Sequence, residues 1–116
     1  NYLVGRIVET NYLSSRVLLL NDLNSRIPVT LDENNSQAIL TGSGTRDPKL
    51  EYLPDEYEFK EGVNVFASGK ERIFIPGTPI GTTTENGDVK LFVDPNQLSF
   101  VTIILTRNSY NKKRSF

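Results

Sequence analysis

Apolar residues in this chain come in short bursts, roughly ten residues apart, and turn-forming residues fill the gaps. That rhythm constrains the fold most. A helix needs an apolar stripe recurring at three and four residues over three turns or more, and such stripes are scarce here. The bursts predict strands over 2–9, 15–20, 26–31, 37–41, 49–53, 64–68, 79–84, 88–93 and 98–106. The resulting class is all-β, a sandwich or small barrel. Alternation is cleanest at Ile27, Val29 and Leu31, interleaved with Arg26, Pro28 and Thr30. Proline cannot donate to a ladder, so Pro28 predicts an edge strand or a bulge. The run Val17 to Leu20 is apolar on both faces, which predicts cover on both sides. Leu98 to Leu105 is the most apolar stretch and predicts a central strand.

The gaps carry specific turn chemistry. Asn21-Asp22-Leu23-Asn24-Ser25 joins two strands, and Asp22 suits a side-chain-capped turn. Asn86-Gly87 is the strongest hairpin signal, because both residues accept positive φ. Gly42-Ser43-Gly44 and Pro54-Asp55-Glu56 mark longer loops.

A chain of 116 residues is one ordinary domain or two very small ones. Its net charge of -1 gives no overall field toward nucleic acid or an anionic membrane. Charge is unevenly placed: Asp47 to Glu61 holds six acids against two bases, and the end of the chain carries Arg107, Lys112, Lys113 and Arg114. Both read as solvated segments, and the basic tail after Arg107 is expected to lie outside the fold. No apolar run approaches the ~18–20 residues that span a bilayer as a helix. The first residue is Asn1 and the chain has no Met, which predicts a fragment or a processed form.

The chain lacks Cys and His, which excludes disulfides, Ser-His-Asp and Cys-His catalysis and the usual zinc ligands. Ser68-Gly69-Lys70 has the spacing of a Ser-Lys pair, in which a desolvated lysine acts as base. A strand-end turn with a solvated Lys70 is the simpler reading. Gly69-Lys70 lacks the upstream glycine and the following Ser/Thr of a phosphate loop, and the acids of 47–61 lack the spacing of a calcium loop. Asn34-Asn35-Ser36 matches a glycosylation acceptor, a pattern common by chance. Tyr and Phe residues are scattered and do not interleave with Lys or Arg on one face, so core packing accounts for most of them. Neither enzymatic activity, a catalytic residue, a bound metal nor a cofactor is expected.

Three ordered stretches carry a resemblance. The first runs through Leu3-Val4-Gly5-Arg6-Ile7-Val8-Glu9, then Ser14-Ser15-Arg16-Val17 with Leu18 to Asp22, then Asn24 to Val29. The second is Ala38 to Gly44 followed by Leu50 to Pro54. The third runs from Gly62 through Ala67-Ser68-Gly69 to Phe74 and Gly77-Thr78-Pro79-Ile80-Gly81. In this order the set is similar to the MreC family of rod shape-determining proteins, over about the first 106 residues. The matching motif positions are Gly5, Ser15, Arg16, Val17, Asp22, Gly42, Gly62, Ser68, Gly69, Gly77, Pro79 and Gly81. The chain departs from the family pattern at Val63, Ala67 and Ile75.

The resemblance implies a non-catalytic periplasmic scaffold of the bacterial cell-wall elongation machinery (the elongasome), anchored in the inner membrane by a segment outside this chain. It implies contacts with a penicillin-binding transpeptidase and inner-membrane elongation proteins, and self-association such as a dimer. It also implies two small β-barrel subdomains, the second inserted into a partial first barrel. On that template residues 1–13 are a strand of the first barrel, 14–82 the second barrel, 83–107 returning strands of the first and 108–116 a basic polar tail. The competing expectation, from residue chemistry alone, is a small barrel binding single-stranded nucleic acid through exposed aromatics and bases.

Overall fold

The computed structural model describes residues 2–70, 74–97, 101 and 103. It is all-β, with eight strands among the described residues and a 3₁₀ turn over Pro95–Gln97. The strands are β1 (Gly5–Thr10), β2 (Ser15–Leu19), β3 (Arg26–Leu31), β4 (Gln37–Thr41), β5 (Lys49–Glu51), β6 (Asn64–Ala67), β7 (Pro79–Thr83) and β8 (Val89–Leu91). The expected strand over 98–106 and the basic tail lie outside the described residues, apart from Val101 and Ile103.

The strands form two unequal bodies. β3 to β8 make a six-stranded antiparallel sheet in the order β5-β4-β3-β6-β7-β8. Its two outer strands curl to meet each other. Lys49 and Asp88 form an isolated antiparallel bridge, Leu50 donates its N–H to Gly87 O at 2.9 Å, and Val89 donates to Pro48 O at 2.8 Å. The sheet is thus a nearly closed barrel, and closure covers the open edges that a flat sheet would present.

The barrel fills itself by alternation. Successive side chains on a strand point to opposite faces, so each strand sends every second residue inward. Ile27, Val29 and Leu31 of β3 face Leu40 and Ala38 of β4 and Ala67 and Val65 of β6. Leu50, Ile80 and Val89 supply the inward positions of β5, β7 and β8, and all are buried. Leu20 and Phe74 pack on the same cluster from outside the sheet.

Pro28 does not mark an edge or a bulge. It lies in β3, between β4 and β6, and is buried. The reason is local. Ser68 donates its N–H to Pro28 O at 3.1 Å, one register step beyond the last paired residues, Val29 and Ala67. The reciprocal bond would need a Pro28 N–H. The proline therefore ends the β3–β6 ladder there while β3 continues to pair with β4.

β1 and β2 form a separate two-stranded hairpin with a register shift between Ile7 and Glu9. Here the expectation for the Val17–Leu20 run fails at its start. Val17 is 40% exposed, Leu18 and Leu19 are half-buried, and only Leu20 reaches the core. The run leaves the hairpin and enters the barrel, so burial rises along it. Hydrogen bonding puts the limits of the six-stranded sheet at Arg26 and Leu91, whereas the template drawn from resemblance divides the chain near 13/14 and 82/83.

Candidate interaction surface

The hairpin is an arm. Ten consecutive residues, Val8 to Val17, are exposed. Its tip carries Tyr12, 97% exposed, and Leu13, 88% exposed, in a turn closed by Asn11 N–H donating to Ser14 O at 2.7 Å. Neither outer edge of the β1–β2 pair is bonded to a further strand among the described residues. A free two-stranded hairpin is marginal in water, and open edges are templates for pairing. The base of the arm is better held. Leu3 donates to Pro79 O at 3.0 Å, Leu20 donates to Val4 O at 3.1 Å, and the rings of Tyr2 and Phe92 meet with centroids 5.0 Å apart.

The motif residues lie along the backbone frame of both bodies. Gly5 opens β1 opposite Leu19, while Ser15, Arg16 and Val17 open β2 opposite Thr10, Glu9 and Ile7. Asp22 accepts the N–H of Asn24 on Oδ1 at 2.8 Å, and its carbonyl accepts from Ser25 at 2.9 Å. That carbonyl also fixes Gly42. A Cβ at position 42 would overlap Asp22 O, and Gly42 N–H donates to Ser25 O at 2.9 Å. Gly44 N–H bonds to Asn21 O at 2.9 Å, so the β2–β3 turn is knitted to the end of β4. Gly81 is the second close approach, where a Cβ would overlap Lys90 O across the β7–β8 ladder.

The other motif residues gather around the exit from β6. Ser68 is buried and accepts the N–H of Lys70 on Oγ at 3.2 Å. Gly69 packs against Pro76, Gly77 N–H donates to Ala67 O at 2.9 Å, and Pro79 opens β7. The Ser68 hydroxyl thus serves the turn, and Lys70 is exposed. This is the geometry of a strand-end turn. Gly62 sits before β6 and donates to Thr83 O at 2.8 Å.

Thr83 escaped sequence reasoning. It is buried, its hydroxyl donates to Lys60 O and accepts from Val63 N–H at 3.0 Å, and it ties the 60–63 turn to β7. Nothing in a Thr-Thr-Thr run singles out one threonine. The Lys49–Asp88 ion pair across the seam, 3.1 Å long with Lys49 largely exposed, was equally invisible because its partners are far apart in sequence.

Beside the seam, Tyr57 and Phe59 meet edge-on with centroids 5.6 Å apart. Burial pushes the Tyr57 phenol above its ordinary value of 10.0, and the neighbouring Glu33 carboxylate pushes the same way. Its hydroxyl is buried without a hydrogen-bond partner among the described residues. Asp55, Glu56, Glu58 and Glu61 flank this aromatic pair in sequence. That charge opposes a phosphate backbone, so the pair makes a poor stacking platform for nucleic acid. Among the described residues no three carboxylates cluster as metal ligands, and no helix is long and apolar enough to cross a membrane.

Comparison with known proteins agrees with this architecture. Residues 1–105 match the family model described as rod shape-determining protein MreC, barrel core. The cell shape-determining protein MreC of Caulobacter vibrioides is 40% identical over 110 residues, covering 91% of this chain and 32% of that protein. The protein of the same name from Cereibacter sphaeroides is 35% identical over 106 residues, covering 88% of this chain and 35% of its own length. The crystal structure of MreC from Pseudomonas aeruginosa superposes with a TM-score of 0.63 at 36% identity, covering 70% of this chain and 53% of that one. The chain spans about a third of the length of the curated relatives it matches. With an all-β fold, a nearly closed six-stranded barrel and a family match along most of its length, the chain belongs to the MreC family of cell shape-determining proteins.

Proposed function

We propose that this chain is the β-barrel part of a non-catalytic scaffold on the periplasmic face of a bacterial inner membrane. Its role is to determine rod shape by organising cell-wall elongation through protein contacts and self-association. The observation that carries the reading is the arm: among the described residues, a hairpin with two open edges and an exposed apolar tip, fixed at its base to the barrel. Open edges bind by adding strands, and a rigid barrel presents them at a set angle. The motif residues support the same role, since they are spent on holding backbone in place.

In this reading the arm belongs to a first barrel, completed by chain that follows the six-stranded sheet and by strands outside this sequence. The six-stranded sheet is the inserted second barrel. The assembled pair contacts a penicillin-binding transpeptidase and inner-membrane elongation proteins, with an anchor outside this chain.

The test uses the full periplasmic region of the parent protein. Sedimentation should show self-association, and the wall transpeptidase should co-purify with it. Amides of residues 5–19 should exchange more slowly there than in the 116-residue chain. A monomer that captures no transpeptidase sinks the scaffold reading. Equal exchange in the two samples sinks the completed first barrel.

A further inference from the structure

The β7–β8 hairpin is also the fastening of the barrel. Thr84 N–H donates to Asp88 O at 2.9 Å, and Gly87 N–H reaches Thr84 O at 3.3 Å, longer than a normal N–H···O bond. Gly87 takes φ +86°, the left-handed residue that follows a type I turn in such hairpins. Asn86 is exposed, while Gly87 is buried against the Phe59 ring. The next atoms along the chain make the seam. Gly87 O accepts Leu50 N–H, Asp88 bridges Lys49, and Val89 N–H donates to Pro48 O.

We infer that Asn86-Gly87 is a self-modifying site whose conversion to isoaspartate opens the seam between β5 and β8. The chemistry needs only water. The Gly87 amide nitrogen gives up its proton and attacks Asn86 Cγ. A new N–Cγ bond forms, the Cγ–Nδ2 bond breaks, and ammonia leaves with a proton. Water then adds to one of the two carbonyls of the five-membered imide. Addition at Cγ breaks the new N–Cγ bond, returns a proton to the Gly87 nitrogen and restores the main chain as aspartate. Addition at the Asn86 main-chain carbonyl breaks the original C–N bond instead, again returns a proton to that nitrogen and leaves isoaspartate, with the chain running through Cβ and Cγ. Glycine favours the attack because no side chain crowds its nitrogen, and the long bond to Thr84 protects that nitrogen little.

Isoaspartate puts one extra carbon into the main chain directly before Gly87. Gly87 O and Asp88 must then shift relative to Leu50 and Lys49. One bridged residue pair, two backbone bonds and an ion pair whose Lys49 end is exposed hold this join, whereas every other neighbouring pair in the sheet has at least three paired residues. The seam is the weakest join in the barrel, and the reactive turn is part of it.

The experiment ages the 116-residue chain in mildly alkaline buffer and follows peptides by mass spectrometry and amides by hydrogen exchange. The Asn86 peptide should convert about tenfold faster than those of Asn34 and Asn35, which are exposed but followed by residues with side chains. In the isoaspartyl fraction, exchange at Leu50 and Val89 should rise about tenfold while Val29 and Leu40 stay protected. Asn86→Gln should block both changes, because its longer side chain closes the ring poorly. Freshly made Asn86→Asp, which adds the charge alone, should keep the seam protected. Conversion at Asn86 no faster than at Asn34 and Asn35 overturns the site. Unchanged exchange in the isoaspartyl fraction, or seam opening in fresh Asn86→Asp, overturns the backbone mechanism.

Discussion

The barrel and the arm are built from similar material and end up in opposite states. Both use short antiparallel strands with β-branched residues. In the barrel, Val29, Val65 and Val89 are fully buried, whereas Val8 and Val17 in the arm stand in solvent. Composition does not separate them; closure does. A strand with neighbours on both sides can commit one whole face to an enclosed core. Among the described residues the arm strands have one neighbour each, and no second layer covers them beyond their base. The lesson is that in a small β protein the number of pairings per strand decides what a residue contributes.

The largest blow to this contrast falls on the barrel. Gly42→Ala forces a methyl group into the Asp22 carbonyl, and neither side is a flexible side chain. Destabilisation of roughly 3 kcal/mol or more is expected, read as a drop in the urea midpoint. A drop below about 1 kcal/mol would mean that the knot between the β2–β3 turn and β4 is soft and the barrel less rigid than described.

A smaller effect has the opposite sign. Tyr57→Phe removes a buried hydroxyl without a described partner and should stabilise the chain by about 1 kcal/mol. The variant also carries a pH signature. The folded phenol holds its proton above the ordinary 10.0, so the unfolded chain binds fewer protons in that range. Stability therefore falls as pH rises above about 10, and Tyr57→Phe should flatten that fall in chemical denaturation at several pH values.

The smallest effect is expected in the arm. Replacing Tyr12 and Leu13 together by Ser should move stability by less than about 0.5 kcal/mol, because neither packs on the barrel. A larger loss would make the arm part of the cooperative barrel unit and end the division into two bodies.

Much of the barrel was legible in the sequence because its signals are local. Alternation at Ile27, Val29 and Leu31 marked the inward face of β3, and Asn86-Gly87 marked the β7–β8 turn. The missing parts depend on partners distant in sequence. Pro28 reads as an edge residue unless it is known that the β3–β6 ladder stops beside it. The run from Val17 reads as doubly covered unless it is known that β2 pairs outside the barrel. The Lys49–Asp88 seam joins residues 39 apart, and Thr83 differs from its neighbours only in what surrounds it. As for the candidate surface, the motif residues pointed to backbone scaffolding, but no pattern in Tyr12-Leu13 announced an exposed tip.

The anchoring at the base of the arm has a mechanical consequence. Leu3 and Phe92 hydrogen-bond to consecutive carbonyls of β7, Pro79 and Ile80, and the rings of Tyr2 and Phe92 lie against each other. The chain therefore enters and leaves the barrel region at neighbouring points. Tension applied through the flanking chain would load this short clamp first. The barrel would hang beside the line of force, keeping its shape until the clamp gave way.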